Sequence, residues 1–199
     1  QDPSKLGDGE MTTLEAEMRR RLWLSILELN LQSAYDAGGA PLISAEDYDR
    51  LPPANLDDEG LTNDPGIPSP GGRAVGGSTR LSVALGLAQS LPLRLKILRH
   101  ANDFRVQDSY SETLRLNSKL VQACRDSEEA GSPNGTAVTQ FHASLAELLA
   151  YRCFHTLHQP AILRPLSDPK YYFSQKMYID GALKIAHISG LDCAQVANK

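Results

Sequence analysis

Cysteine is scarce and scattered in this chain: Cys124, Cys153 and Cys193 stand far apart among 199 residues, with no C-x-x-C step. That excludes a disulfide framework and a six-cysteine zinc cluster within the chain, and it fits a reducing compartment. No apolar run approaches the roughly 20 residues needed to span a bilayer, and the N-terminal residues hold no apolar signal core. Positive charge is not in excess either, with 20 Lys and Arg against 24 Asp and Glu and a formal net charge of −4. Sequence-independent nucleic-acid binding needs concentrated cations to displace counterions from phosphate, so direct nucleic-acid contact is not expected. No run of β-branched residues alternates with polar ones for long enough to make a strand. No glycine loop joins a strand to a helix around a phosphate, and no nucleophile sits in an elbow. Asp47, Asp49, Asp57, Asp58 and Glu59 lack the spacing of a calcium loop and read as a solvated acidic stretch with Asx turns. Asn134-Gly135-Thr136 follows Gly131-Ser132-Pro133 and reads as a turn. Nothing in the sequence argues for catalysis.

What the chain does have is helical text. With 41% hydrophobic and 22% charged residues it can build one domain with its own core. The expected fold class is all-α, a multi-helix bundle with long loops. Thr12 to Glu15 has capping-box spacing, in which the hydroxyl caps a free N–H and the carboxylate reaches back. Leu14, Met18, Leu22, Ile26 and Leu29 then form one apolar stripe, and Trp23, Leu27, Leu31 and Ala34 form another beside it. Together they exceed the roughly 100° face of an ordinary surface helix, and Gly38-Gly39 supplies a left-handed stop. The pattern predicts a helix buried on most of its circumference, with Leu22 and Trp23 largely buried, at the centre of the bundle. Leu81, Leu85 and Ala88 mark a further face, and Pro92 is expected to open a new helix carrying Leu95, Leu98 and Asn102. Ser109 to Glu112 repeats the capping spacing ahead of Leu116, Leu120 and Ala123. Phe141, Leu145, Leu148, Leu149, Cys153 and Leu157 define an amphipathic helix ended by Pro160. Asp168-Pro169 caps a last helix, which Tyr172, Ile179, Leu183 and Ala186 continue to Gly190.

Two segments interrupt this text. Residues 60–79 contain Pro65, Pro68 and Pro70 with Gly66, Gly71, Gly72, Gly76 and Gly77, the composition of a flexible linker. Residues 128–136 read as a shorter loop. The chain is otherwise one unit, 1–199, without internal repeats.

Arg19-Arg20-Arg21-Leu22-Trp23, Glu28-Leu29-Asn30, Gly39-Ala40-Pro41-Leu42-Ile43 and Leu51-Pro52 together resemble the fungal-specific transcription factor domain. This is the middle homology region of fungal zinc binuclear cluster regulators. The motif residues are Arg19, Arg20, Leu22, Trp23, Pro41 and Pro52. The chain departs from the pattern at Leu24, where a second aromatic is usual, and at Asn30, where aspartate is usual. Ser90-Leu91-Pro92-Leu93-Arg94-Leu95, Leu157-His158-Gln159-Pro160 and Asp168-Pro169-Lys170-Tyr171-Tyr172 resemble later helices of such proteins, with Gln159 and Ala161 in place of the usual Arg and Phe. The resemblance implies an all-α regulatory domain of a nuclear transcription regulator, matching the later part of that domain. It also implies that zinc and DNA reading belong to an N-terminal cluster absent from this chain, which itself needs no cofactor. Implied partners are the remainder of the same factor, a co-regulator protein or a second copy, and a small apolar ligand, but not a membrane. The alternative, from a different class, is a stand-alone helical small-molecule receptor without DNA-binding activity. If helices that normally precede Gln1 are missing, one side of the Leu14–Leu31 helix is left uncovered, and the isolated chain is expected to be marginal, dimeric or aggregation-prone.

Candidate chemistry is thin. Arg19, Arg20 and Arg21 lie about 100° apart around a helix and cannot share one face. Glu15 and Glu17 sit four residues before Arg19 and Arg21, which suits surface pairs. Arg20 is then the inward one, needing a carboxylate such as Asp57 or Asp58. Flanking acids argue against a DNA-contacting patch. Cys153, His155 and His158 could be drawn as a metal site, but Cys153 lies about 200° from His155 around a helix. A packed cysteine, a solvated histidine and a hydrogen-bonded histidine are the simpler reading. The aromatics Trp23, Tyr35, Phe104, Phe141, Phe154, Tyr172 and Phe173 are candidates to line an interhelical ligand pocket, with core packing the plainer role for each. Limited proteolysis should cut first within residues 60–79, where Gly and Pro leave little backbone hydrogen bonding to protect the chain; first cuts within 17–30 would refute this domain reading.

Overall fold

The computed structural model describes residues 12–44, 46–48, 52–56, 81–103, 110–130 and 137–190. The expected linker at 60–79 lies outside these residues, as do Phe104, Asp57, Asp58 and Cys193. Within them the chain is all-helical: α1 (Thr13–Ala37), α2 (Ser82–Ala101), α3 (Tyr110–Ala130), α4 (Ala137–Ile162) and α5 (Tyr172–Ile188), with a 3₁₀ turn over Pro169–Tyr171.

Three of the expected signals at helix ends hold. The Thr12 hydroxyl accepts from the Glu15 N–H at 3.2 Å, and the Thr12 N–H donates to the Glu15 carboxylate at 3.0 Å, a complete capping box. Gly38 stops α1 with φ +62°, a conformation that needs no Cβ. Asp168 accepts from the Lys170 N–H at 3.0 Å, with Pro169 opening the 3₁₀ turn that leads into α5.

Several expectations are corrected. Pro92 does not begin a helix: α2 runs through it from Ser82. A proline there removes one N–H donor, yet the helix continues because both its sides are needed. Leu91, Leu95 and Leu98 pack with Leu27 and Leu31 in one cluster. Ile97 and Leu93 pack with Leu116, Leu120, Cys153, Phe154 and Leu157 in a second. Pro160 likewise lies inside the last turn of α4 rather than beyond it. Residues 128–130 belong to α3 rather than to a loop, while 131–136 lie outside the described residues.

A further correction concerns the centre. α4 packs against α2, α3 and α5, and it is the helix on which the others converge. α1 lies on α2 with only Glu17, Leu27 and Leu31 buried. Leu22 is 62% exposed and Leu29 69%, with Met18 and Ile26 also outward. The Leu27–Leu31 stripe faces the core, and the Met18–Leu22–Leu29 stripe faces away.

α5 also turns large apolar side chains outward: Tyr172, Ile179 and Leu183 are exposed, while Ser174, Gln175 and Gly181 are buried. A Cβ built on Gly181 would lie 3.7 Å from the backbone N and the Cβ of His155 on α4. The two helices meet through small side chains, so the bulky ones are turned outward. Gln175 adds a cap, donating to the carbonyls of Ala161 (3.3 Å), in the last turn of α4, and of Arg164 (3.2 Å), just after it.

Leu157→Ala, at a side chain 1% exposed, should therefore cost about 2–5 kcal/mol in a denaturant melt. Leu22→Ala should stay within about 0.5 kcal/mol of wild type. A large loss at Leu22 would return α1 to the centre.

Candidate functional site

The chemistry-bearing side chains gather in three polar nodes between helices. The first holds α1 to the loop that follows it. Glu17 is 1% exposed. Its carboxylate accepts from the backbone N–H of Ala54 (2.9 Å), from Arg21 Nε (3.3 Å) and from Arg20 Nη1 (3.4 Å). Arg21 Nη2 donates to the Leu56 carbonyl. Sequence reasoning paired Glu17 with Arg21 correctly but set that pair at the surface and sent Arg20 inward alone. Instead the carboxylate is the buried group and both guanidiniums turn to it. The arginine run and the proline loop of the motif thus form one unit: Pro52 leads into buried Pro53 and Ala54, and Pro41 is buried near the end of α1. Arg19 and Leu22 remain outward, and Glu15 is used in the cap.

The second node joins α1, α2 and α4. Arg94, 2% exposed, makes two bonds of 2.7 Å to the Glu28 carboxylate. It also donates to Ser90 Oγ (3.1 Å) and to the Leu87 carbonyl (2.7 Å), one turn before Pro92. Burial opposes the charge on Arg94, but the hydrogen bonds and charge of Glu28 hold its pKa above the ordinary arginine value. Glu28 also accepts from Gln32 (2.7 Å), whose own oxygen accepts from Arg152 (2.9 Å), and Arg152 pairs with Asp36. The Tyr35 hydroxyl donates to the Arg94 carbonyl (3.3 Å) and lies 3.2 Å from Cys153 Sγ. Burial pushes both the Tyr35 hydroxyl and the Cys153 thiol up, so neither ionises near neutral pH. An unionised, fully buried thiol is a poor nucleophile and a poor metal ligand.

The third node joins α3, α4 and α5. His158 is fully buried, with Nδ1 2.8 Å from Ser174 Oγ and Nε2 3.0 Å from Asn117 Oδ1. Because the Asn117 oxygen only accepts, the ring carries its proton on Nε2, and Nδ1 takes the serine hydroxyl. Ser174 Oγ lies 3.2 Å from the Tyr110 hydroxyl, and the Phe173 ring meets His158 edge-on at 5.8 Å. The order serine, histidine, amide is that of an acyl-transfer site. But Ser174 and His158 are both 0% exposed, so no substrate carbonyl can reach the hydroxyl. Burial holds the His158 pKa down to about 4.

Cys153, His155 and His158, drawn together from the sequence, have separate neighbours here. Cys153 meets Tyr35, His155 stacks on Tyr178 at 4.0 Å, and His158 meets Ser174 and Asn117. No group of three or more His, Cys, Asp or Glu among the described residues is placed to hold a metal ion. The candidate pocket aromatics are dispersed. Trp23 packs on the first cluster, Phe154 lies in the second, and Tyr35 touches both. Phe141, Tyr172 and Phe173 are exposed, the last with one edge on His158. Sequence reasoning missed Glu28, Arg94, Asn117 and Ser174. Arg94 carried one available signal, a charged residue between Leu93 and Leu95 on an apolar helix.

Comparison with known proteins adds kinship. The chain is 37% identical to the transcription factor lepE of Aspergillus flavus over 180 residues, covering 88% of this chain and 21% of that protein. It is 32% identical to the transcription factor opdR of Penicillium oxalicum over 189 residues, 88% of this chain and 23% of that protein. Over 60 residues it is 42% identical to the C6 finger domain transcription factor hasF of Aspergillus fumigatus, 30% of this chain and 8% of that protein. No family model matches the chain, and no solved structure matches it. The chain is thus homologous to fungal transcription factors, not to enzymes, and spans about a fifth of the length of the first two. No helix among the described residues is long and apolar enough to cross a membrane.

The buried histidine gives a pH dependence with a definite sign. An unfolded histidine titrates near 6.5 and His158 in the fold near 4, so between these values the unfolded chain binds more protons. Its contribution to stability is full above about pH 6.5 and is lost as pH falls toward 4, in total on the order of 3 kcal/mol. His158→Gln should flatten the urea-melt stability profile in that window. An unchanged slope would move the proton uptake to another group.

Proposed function

We propose that this chain is a regulatory, non-DNA-reading portion of a fungal zinc-cluster transcription factor, acting in the nucleus. It would control transcription through contacts with the remainder of the same factor or with a co-regulator protein. The observation that carries this reading is homology to transcription factors over nearly the whole chain, in a chain whose cysteines cannot form a zinc cluster. On this reading zinc and the reading of bases belong to a separate cluster, and this portion needs no metal. The geometry supports a contact role. The interhelical Glu28–Arg94, Tyr35–Cys153 and His158–Ser174–Asn117 groups are bonded to one another, while α1 and α5 each expose several large apolar side chains, and such patches mark interaction surfaces.

Two measurements test it. The purified chain should not bind duplex DNA at physiological salt, since even non-specific affinity rests on neutralised phosphates. Inserted whole between a heterologous DNA-binding domain and an activating segment, it should change reporter output several-fold relative to a flexible linker of equal length. Duplex binding by the chain alone, or a folded insert with unchanged output, would overturn the proposal.

A further inference from the structure

Two apolar helix faces are exposed among the described residues, and the charges beside them differ. Around the α1 stripe, Glu17, Arg20, Arg21 and Glu28 are already paired with one another or with Arg94. Around α5 no lysine or arginine is ion-paired among the described residues. Tyr172, Lys176, Ile179 and Leu183 follow one another at spacings of four, three and four, so they form one exposed line along the helix. Arg164 and Lys170 stand at its N-terminal end, both exposed, each over the Tyr171 ring at 5.6 and 5.3 Å. Arg164, Lys170 and Lys176 have no ion-pair partner among the described residues. Of the two acids in this stretch, Asp168 is occupied with the Lys170 N–H and Asp180 stands alone on α5. A chain of net charge −4 has therefore placed a locally basic, apolar face here.

From this charge and shape we infer that the exposed face of α5 docks an acidic amphipathic helix from a partner polypeptide. The partner lays its apolar side chains on Tyr172, Ile179 and Leu183 and its carboxylates against Lys176, Lys170 and Arg164. Lys176 selects for this occupant, because a cation inside an apolar stripe is costly to cover unless the covering surface brings a carboxylate. A second copy docking the same way would set one basic face against another, which like-charge repulsion disfavours. An amphipathic helix presents anchors at i, i+3 or i+4, and i+7, the spacing of the three apolar residues.

The inference deepens the regulatory reading by naming the class of partner, and it is tested by binding alone. A silent reporter leaves it standing, and a failed titration leaves the regulatory reading standing. The full chain is titrated into a fluorescein-labelled amphipathic peptide with leucines at helical spacing and Asp or Glu elsewhere. A scrambled peptide of the same composition serves as the control. Saturable binding that weakens with salt is expected, with the scrambled peptide weaker by about tenfold. Ile179→Ala with Leu183→Ala should weaken binding by about tenfold, Lys176→Glu by about fivefold with a flatter salt dependence, and Leu22→Ala not at all. If a variant loses its helical circular dichroism, the wild-type titration with its scrambled control decides. Equal binding of the scrambled peptide, equal loss at Leu22, preference for single- or double-stranded nucleic acid over the peptide, or sedimentation as a dimer broken by the α5 double variant would each overturn it.

Discussion

The buried guanidinium of Arg94 is the constraint on which the rest of this structure turns. α2 must feed two hydrophobic clusters from opposite sides, Leu91, Leu95 and Leu98 into one and Leu93 and Ile97 into the other. A charge on that helix cannot reach water, and an unpaired buried ion costs several kcal/mol. It is compensated by the Glu28 carboxylate from α1, the Ser90 hydroxyl and the Leu87 carbonyl. Those bonds fix how α1 lies on α2, because a bidentate pair tolerates little sliding. Once α1 is set, Tyr35, Gln32 and Asp36 fall into reach of Cys153 and Arg152 on α4.

The other two nodes serve the same end by the same physics. Glu17 ties residues 54–56 to α1, and His158 ties α3 and α5 to α4. A hydrogen-bonded polar network in a low-dielectric interior is directional, and it selects one packing where apolar contact alone would allow several. The cost is that none of these groups is available for chemistry. This agrees with kinship to regulators rather than to enzymes.

Stability in this chain is thus polar as well as apolar at the joints, while much of its bulk apolar surface faces outward on α1 and α5. An outward line of Met18, Leu22, Ile26 and Leu29, and another of Tyr172, Ile179 and Leu183, are unusual for a protein that acts alone. The charge around the two faces differs: the groups beside the α1 line are paired with one another or with Arg94, while Lys176 lies within the α5 line.

The sequence by itself determined the all-α class, the ends of α1 and the cap before α5. It also determined the inward face of α3 through Leu116 and Leu120, because capping, turn chemistry and a single apolar stripe are local properties. It carried the family resemblance as well, in the arginine run and the Pro41 and Pro52 loops. Only the tertiary structure decided which of two apolar stripes on α1 faces the core, since a periodic pattern has no sign when both sides are apolar. Only the tertiary structure decided which face of α5 points inward, since that depends on Gly181 meeting the backbone of His155, a contact between helices that no spacing within α5 encodes. Pro92 and Pro160 read as boundaries for the same reason. Propensity argues locally that a proline ends a helix, and packing on both sides of the chain overrode it. The partners of Arg94, Glu17 and His158 come from other helices or from a following loop, so the sequence could name the charges but not their mates.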